Sequence, residues 1–98
     1  MIRVVYRWRV EPHNFDAFRD TWRETTNHIH ETVAGALGSF LLRSSDDPSN
    51  VLTVAKWDSM ASWQRFFGEQ NPAQMAAMRG LGERVSVEAF EEVEDHTR

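Results

Sequence analysis

The fold is decided by one stretch in the second half of the chain, Val51-Leu-Thr-Val-Ala-Lys-Trp57-Asp-Ser59-Met-Ala-Ser-Trp63-Gln-Arg-Phe66-Phe67. It begins as a β-branched run typical of a strand, and after Ser59 its apolar residues recur at helical spacing. Ser59 is well placed to cap that helix. A strand that turns at once into a helix brings four aromatic side chains to one corner: Trp57, Trp63, Phe66 and Phe67. We expect this corner to be either the centre of a small core or the wall of a pocket for a flat, apolar ligand.

The composition describes one ordinary globular domain spanning residues 1–98. The net charge of −4, with Lys56 as the only lysine and the arginines scattered, argues against a nucleic-acid partner, because phosphate binding needs clustered Lys and Arg. The chain has no cysteine, so it has no disulfide framework and no thiolate chemistry. No apolar run approaches the ~18 residues that span a membrane, and the N-terminus has the pattern of a strand. We therefore expect a soluble, cytoplasmic protein that binds neither nucleic acid nor membrane.

Periodicity divides the first half of the chain into a strand, a helix and a hairpin. Residues 2–11 alternate between apolar and polar character and predict a strand, which Pro12 closes. Asn14 is then a candidate N-cap for a helix over residues 15–34, which Gly35 ends. Strands over 37–43 and 51–57 flank a turn rich in Ser, Asp, Pro and Asn.

The second half repeats the helix-then-strand order. The helix that Ser59 opens pauses at Gly68, and Asn71-Pro72 restarts a short helix that runs to about Arg79. A final strand is expected over residues 83–94. The order β-α-β-β-α-β predicts an α+β, ferredoxin-like fold, with two helices on one face of a four-stranded antiparallel sheet.

This topology has two consequences that the charges and the apolar residues support. The first strand should lie beside the last, so that its arginines (Arg3, Arg7 and Arg9) meet acidic residues among Glu88, Glu91, Glu92 and Glu94. Both faces of the sheet are partly apolar, since Leu37 and Leu41 alternate with Phe40 and Leu42, and Val51, Ala55 and Trp57 alternate with Leu52 and Val54. The face without helices therefore keeps an apolar patch of a kind that monomers rarely expose. We expect a twofold homodimer that buries this face, sheet against sheet.

Several residues, taken in order, resemble a known family. Tyr6-Arg7-Trp8-Arg9-Val10 is followed by Phe15, Phe18 and Trp22, then by Gly35-x-x-Gly38-Ser39 and Leu41-Leu42-Arg43-Ser44. The most telling piece is Trp57-Asp58-Ser59 at the strand-to-helix junction, with Trp63 six residues beyond Trp57. The pattern resembles the antibiotic biosynthesis monooxygenase superfamily of dimeric α+β barrels, and it covers nearly the whole chain.

The resemblance implies a homodimer and leaves several activities open. Some members of the family oxygenate quinols or anthrone-type polyphenols without metal or flavin, and others open haem. The haem-degrading branch carries an Asn, a Trp and a His where this chain has Tyr6, Phe66 and Ala76 or Ala77. None of the three is retained, so haem degradation by that mechanism is not expected, although haem binding in another mode stays open.

The candidate site combines aromatic walls with a few polar groups. We expect a small aromatic or hydrophobic ligand to be bound by the chain's clustered rings: Trp8, Trp22, Trp57, Trp63, Phe66 and Phe67. Cofactor-independent oxygenation needs a base for a phenol, and Tyr6 or His30 could handle that proton. Arg7, Arg65 or Asn71 could hold the resulting oxyanion. His28 and His30 point apart on the helix, so no metal site is expected.

Three functions remain open from the residues. The leading interpretation is a cofactor-independent monooxygenase that acts on an aromatic polyphenol or a quinol-type metabolite. The second is a non-catalytic dimeric protein that binds a small hydrophobic ligand in the same pocket, or a haem-binding relative. The third is a purely structural dimerisation module in which the rings fill the core, and this one follows if no cavity larger than about 300 Å³ exists.

Overall fold

A computed structural model describes residues 1–69 and 71–97 of the chain. It has the predicted α+β, ferredoxin-like order of elements. The four strands are β1 (Ile2–Arg9), β2 (Ala36–Arg43), β3 (Asn50–Trp57) and β4 (Glu83–Glu91), and the helices are α1 (Phe15–Thr32), α2 (Met60–Glu69) and α3 (Asn71–Arg79). Within the described residues, no helix is long and apolar enough to cross a bilayer.

The sheet is antiparallel throughout, with the strands in the order β2-β3-β1-β4. β1 lies centrally, so Ile2 pairs with Trp57 on one side and with Glu91 on the other. The even-numbered side chains of β1 point toward the helices, and this register puts Thr53 of β3 directly opposite Tyr6. The first strand therefore does lie beside the last, as the topology required.

The core lies between that face of the sheet and the three helices. Val4 and Trp8 of β1 are almost completely buried, and Phe18 of α1 packs edge-on against Trp8 with 5.1 Å between ring centroids. Met75 and Met78 close the core from α3. Burying side chains of this size contributes roughly 1.5–3 kcal/mol each, which makes this layer the main source of stability.

The helix ends follow the sequence signals at one position and depart from them at another. Ser59 caps α2 as predicted, because its Oγ accepts a hydrogen bond from the Ser62 amide at 3.2 Å. Asn14 makes no side-chain cap: a 3₁₀ turn, Pro12–Asn14, runs directly into α1, and Asn14 already has helical backbone angles. The first helix ends at Thr32, two residues earlier than expected, and Gly35 follows with a positive φ of +90°.

The predicted charge pairing between β1 and β4 is only partly correct. Arg3 donates to Glu92 at 2.7 Å and to Asp95 at 3.4 Å, as expected for adjacent strands. Arg7 instead donates to Asn50 at 3.0 Å, and Arg9 donates to Ser49 at 3.1 Å. The expected pairs do not form for these two side chains because Ser86 lies opposite Arg7, whereas Glu88 lies opposite Val5 and Glu91 opposite Ile2, at the other end of β1.

The face of the sheet opposite the helices is uncovered. We call it the open face; its apolar members are Val5, Phe40, Leu42, Leu52, Val54 and Phe90. Three of them stay about half exposed: Phe40 at 44 %, Leu42 at 47 % and Phe90 at 49 %. Contiguous apolar patches are rare on the surface of soluble monomers.

Candidate functional site

A small cavity lies between the helix-facing side of the sheet, α1 and α3. Its volume is about 50 Å³, it is partly open to solvent, and the exposed His30 is among its lining residues. The sheet supplies its floor through Tyr6, Thr53 and Ser39, and the rest of the lining includes Trp22, Thr26, Trp57, Phe66, Met75 and Met78. The walls are therefore mostly apolar, with hydroxyl groups gathered at the floor.

Each of the three floor hydroxyls accepts a hydrogen bond from a different tryptophan. The indole Nε1 of Trp63 donates to the Tyr6 hydroxyl at 3.2 Å, and that of Trp8 donates to Thr53 Oγ1 at 3.1 Å. The third pair joins Trp22 Nε1 to Ser39 Oγ at 3.0 Å. A buried indole N–H requires an acceptor, and here the acceptors are the polar groups of one cavity.

These contacts determine whether each hydroxyl can donate or accept a further hydrogen bond. An indole can only donate, so each hydroxyl oxygen receives a hydrogen and keeps its own hydrogen to give away. Within the described residues, neither Tyr6 nor Thr53 has an acceptor for that hydrogen. Ser39 Oγ lies 2.9 Å from Thr26 Oγ1, so the Ser39 hydroxyl can donate its hydrogen to the Thr26 hydroxyl. The floor is a set of donors suited to a carbonyl, phenol or phenolate oxygen.

The electrostatic surroundings keep Tyr6 protonated. Burial raises the pKa of Tyr6 above its ordinary value of 10.0, and the Trp63 hydrogen bond and the Arg84 charge oppose that rise. At neutral pH Tyr6 is therefore a hydrogen-bond donor and not a base. Arg84 of β4 stacks over Phe67, with its guanidinium carbon 5.5 Å from the ring centroid. Its positive charge makes the Tyr6 phenol a stronger donor.

Arg84 is also unusual in its own hydrogen bonding. Its Nη1 is buried and, within the described part of the chain, has no acceptor. Burial lowers the pKa of Arg84, and the nearby charge of Arg79 adds to that effect. A buried guanidinium nitrogen without a partner is destabilising, and such groups are found where a ligand or a charge is to be stabilised.

Only half of the predicted aromatic residues line the cavity. Trp22, Trp57 and Phe66 do so, and the Trp57 and Phe66 rings lie 5.2 Å apart. Trp63 and Phe67 pack against each other, 5.1 Å between centroids, outside the lining. Trp8 is 1 % exposed and sits in the core beneath Thr53. Helical spacing could not separate Trp63, Phe66 and Phe67, because all three lie on the inward side of α2, away from the exposed Gln64 and Arg65.

The predicted polar residues are more widely dispersed. His30 does line the cavity, but at its rim and exposed to solvent, so it is not the buried base that its place on the helix indicated. Arg65 is exposed on α2, and Arg7 lies on the open face, on the other side of the sheet from the cavity. The side chain of Asn71 lies outside the described residues. Neither Arg7 nor Arg65 can reach an oxyanion in this cavity.

The residues that sequence reasoning missed include Thr53 and Ser39, which line the cavity, and Arg84, whose charge acts on Tyr6. Thr53 and Ser39 are single hydroxyl residues within apolar strands, and their facing inward was detectable from the alternation of β3 and β2. No sequence pattern identified Arg84 as a site residue, because its side chain faces the helices only through the register shift in β4 beside Trp8. In the described residues, no three histidine, cysteine or carboxylate side chains converge as metal ligands would.

Comparison with known families settles what kind of domain surrounds this site. The sequence profile of the antibiotic biosynthesis monooxygenase family matches residues 1–80. The chain belongs to the antibiotic biosynthesis monooxygenase family. No functionally curated protein matches the sequence at a significant level.

Solved structures agree with the family at the level of the fold. A Bordetella bronchiseptica protein named for this family superposes with a TM-score of 0.81 at 17 % identity, covering 94 % of this chain and 96 % of its own. A similarly named Caulobacter crescentus protein gives 0.78 at 22 % identity, covering 95 % and 90 %. A variant of SnoaB, a cofactor-independent oxygenase from Streptomyces nogalater, gives 0.78 at 18 % identity, covering 99 % and 97 %. At these identities the likeness establishes a shared fold.

Proposed function

We propose that this antibiotic biosynthesis monooxygenase family member oxygenates an electron-rich aromatic metabolite of the polyphenol or quinol type, without a metal or organic cofactor. The observation that carries the proposal is the floor of the cavity, where the hydroxyls of Tyr6 and Thr53 each accept an indole N–H, which leaves each hydroxyl hydrogen available for donation to a ligand. The description of SnoaB as a cofactor-independent oxygenase supports the same reaction class.

The reaction requires the protein to promote one proton transfer and to stabilise one anion. The substrate phenol must lose a proton, and the anion must then be held in a dry site while it passes an electron to O₂. Recombination of the resulting radical pair forms a C–O bond, and loss of water from the hydroperoxide leaves a carbonyl. One oxygen atom of O₂ enters the product and the other leaves as water, with the substrate supplying the electrons.

The residues divide these tasks by position. His30 at the rim can accept the phenolic proton and release it to solvent. Tyr6 and Thr53 stabilise the oxyanion at the floor, and the charge of Arg84 strengthens the Tyr6 hydrogen bond. Removing one such donor typically lowers kcat by about 10²–10³-fold.

The cavity must widen before a fused-ring substrate can enter. Its volume of about 50 Å³ holds little more than a water molecule or two, whereas ligand sites usually begin near ~300 Å³. Met75 and Met78 form the wall on α3, and unbranched methionine side chains rearrange more easily than branched ones. Substrate binding therefore displaces this methionine wall.

The proposal also includes a homodimer in the cytoplasm. A second copy packed on the open face would bury Phe40, Leu42 and Phe90, which are otherwise about half exposed. A chain with no cysteine suits a reducing compartment. Molar mass measured by light scattering in dilute solution tests the dimer, and a mass equal to one chain would contradict it.

The test of function is O₂ uptake with a panel of dihydroquinones and anthrones in the presence of a metal chelator. We expect uptake with at least one of them, and a loss of uptake in Tyr6→Phe and in His30→Ala while both variants stay folded by circular dichroism. Thr32→Val removes a hydroxyl that bonds only the His28 carbonyl on the helix surface, and it should leave the rate unchanged.

The small cavity favours a second candidate, a structural dimerisation module whose rings simply fill the core. Calorimetric titration with the same panel separates the possibilities. Binding without O₂ uptake would indicate a non-catalytic binding protein, while neither binding nor uptake would leave the structural module.

A further inference from the structure

The hydroxyl groups of the cavity fall into two pairs on different parts of the sheet. Tyr6 and Thr53 form what we call the inner pair, because they lie opposite each other on β1 and β3, the two central strands. Ser39 and Thr26 form the outer pair, which joins the edge strand β2 to α1 with 2.9 Å between the hydroxyl oxygens. Both pairs line the same cavity, and the proposed function has given a task only to the inner pair.

The hydrogen bonds of the outer pair leave one hydrogen for a ligand. Ser39 Oγ accepts the indole N–H of Trp22 at 3.0 Å, and one of the two hydroxyls donates to the other. Whichever hydroxyl donates, the second keeps its own hydrogen, because the described residues supply no further acceptor. Thr26 also keeps a free lone pair in both arrangements. The outer pair can therefore donate one hydrogen bond and accept another, which suits a neutral hydroxyl or carbonyl oxygen.

The backbone next to Ser39 leaves room for a ligand group. The β2–β3 register shifts between Ala36 and Ser39, where β2 carries one residue more than β3 does opposite it. Gly38 lies in this bulge with φ +104°, and it lines the cavity. An added Cβ on Gly38 would meet no other part of the chain within 4 Å. Bulges are common next to functional sites, and this one gives the outer pair a neighbour without a side chain.

A single ligand oxygen cannot bond to both pairs. Thr53 lies opposite Leu41 of β2, and Ser39 is two residues from Leu41 on the same strand. Such diagonal positions are roughly 7–8 Å apart, whereas a hydrogen bond joins heavy atoms at about 3 Å. The two hydroxyls also bond in different directions, since Thr53 bonds Trp8 on β1 and Ser39 bonds Trp22 on α1. A ligand that satisfies both pairs must therefore carry two oxygen atoms on separate ring positions.

We infer that Ser39 and Thr26 form a second oxygen subsite, so that the aromatic ligand carries a neutral hydroxyl or carbonyl on the part of its ring system nearest β2. The inner pair then holds the oxygen that becomes the anion, and the outer pair fixes the position of the ring. This inference rests on the proposed function for the class of ligand and adds the substitution pattern that the site selects. Binding alone tests it, so no turnover is required.

Single-ring probes titrated under nitrogen provide the test. Hydroquinone and resorcinol carry a second hydroxyl where para-cresol and meta-cresol carry a methyl group of similar size. We expect the wild type to bind at least one diol about fivefold more tightly than its matched cresol, the usual effect of one neutral hydrogen bond. NMR titration measures the dissociation constants. The indole N–H signal of Trp22, assigned with Trp22→Phe, should shift further with the diol, because its acceptor is Ser39 Oγ.

Removal of the outer pair should abolish the preference for the diol. Thr26→Val/Ser39→Ala removes both hydroxyls, and adding Trp22→Phe removes the indole N–H that they leave without an acceptor. This triple variant should bind the diol and its cresol with equal affinity. Thr32→Val, the same kind of change at an exposed position of α1, is the matched control and should keep the preference. Thr26→Val alone should lose part of the preference, and it decides the question if the triple variant does not fold.

The outcomes separate this inference from the proposed oxygenation. A diol preference that disappears with the outer pair supports the subsite, whether or not the wild type consumes O₂. Diols and cresols that bind alike in the wild type would overturn the subsite and leave oxygenation to the O₂-uptake assay, as would a preference that survives in full in Thr26→Val or in the triple variant. If no probe shifts the Trp22 signal, the subsite and the aromatic ligand of the proposed function both fail.

Discussion

Tyr6 lies directly opposite Thr53 in the β1–β3 ladder, and the two hydroxyls share the floor of one cavity. Each is fixed from behind by an indole N–H, from Trp63 for Tyr6 and from Trp8 for Thr53. Trp8 and Trp63 thus act through hydrogen bonds. Each orients a hydroxyl that lines the cavity, although neither indole lines the cavity itself. This arrangement is the basis of the first two predictions.

Thr53→Val should lower both the catalytic rate and the stability of the protein. The change keeps the shape of the side chain but removes one donor from the floor, so we expect kcat for the active phenol to fall by about 10²-fold. It also leaves the buried Trp8 N–H without an acceptor, which should lower the free energy of unfolding by about 1–3 kcal/mol. Thr53→Ser, which restores the hydroxyl, should recover most of the rate. Equal rates for the valine and serine variants would contradict the role of this hydroxyl.

The ionisation of Tyr6 should set the alkaline limit of stability. Its pKa is raised in the folded state, so the unfolded chain loses this proton first, and the stabilisation is complete below pH 10 and lost as the pH rises further. Tyr6 is the only tyrosine, so the ultraviolet absorbance of tyrosinate follows this one group. We expect a titration midpoint above 10.0. In Tyr6→Phe, the free energy of unfolding should fall less steeply as the pH rises through the alkaline range. A midpoint at or below the ordinary value would refute the proposed environment.

Arg84→Met should shift the same titration in a known direction. The Arg84 charge lowers the pKa of Tyr6, so its removal should move the tyrosinate midpoint further up. Because Nη1 is buried and has no acceptor among the described residues, we expect the free energy of unfolding to stay constant or to rise by about 1 kcal/mol. Arg65→Met, on the exposed side of α2, should change neither quantity. A large loss of stability in Arg84→Met would indicate an acceptor for Nη1 in the folded protein.

Three glycines predict a graded series of stabilities on substitution by alanine. Gly35 has φ +90°, and an added Cβ would come within 2.6 Å of Asp58 Oδ1 and of Ser62 Cβ. Gly38 has φ +104° but open space around it, so Gly38→Ala carries backbone strain alone. We expect Gly35→Ala to be less stable than Gly38→Ala by about 1–3 kcal/mol, the usual effect of overpacking.

The third member of the series should change stability in the opposite direction. Gly68 lies in α2 with nothing within 4 Å of an added Cβ. Gly68→Ala should raise the free energy of unfolding by about 0.5–1 kcal/mol, because alanine favours a helix over glycine. Urea denaturation of the three variants measures the order, and a Gly68→Ala variant less stable than Gly38→Ala would contradict it.

Residue periodicity was sufficient for the fold because each element carries its own local signal. The alternation of β1, the Ser59 cap and the turn between β2 and β3 all depend on neighbours within a few residues, and all three were predicted correctly. The same locality explains the errors at Arg7 and Arg9, whose partners depend on how distant segments meet. The error at Asn14 is local, because a 3₁₀ turn already gives this residue helical backbone angles. The homodimer, the oxygenation and the roles of the site residues remain predictions.

The amino-acid sequence alone determined the order of the elements, the two-layer architecture and the family, because side-chain period and turn chemistry are properties of short stretches. Only the tertiary structure decided which aromatic residues line the cavity and which hydroxyls they orient. That choice depends on how the strands pair: the β1–β3 register sets Thr53 directly opposite Tyr6, and the shift in β4 beside Trp8 turns Arg84 inward. A register is set by the packing of the whole sheet, so no single stretch of the chain encodes it.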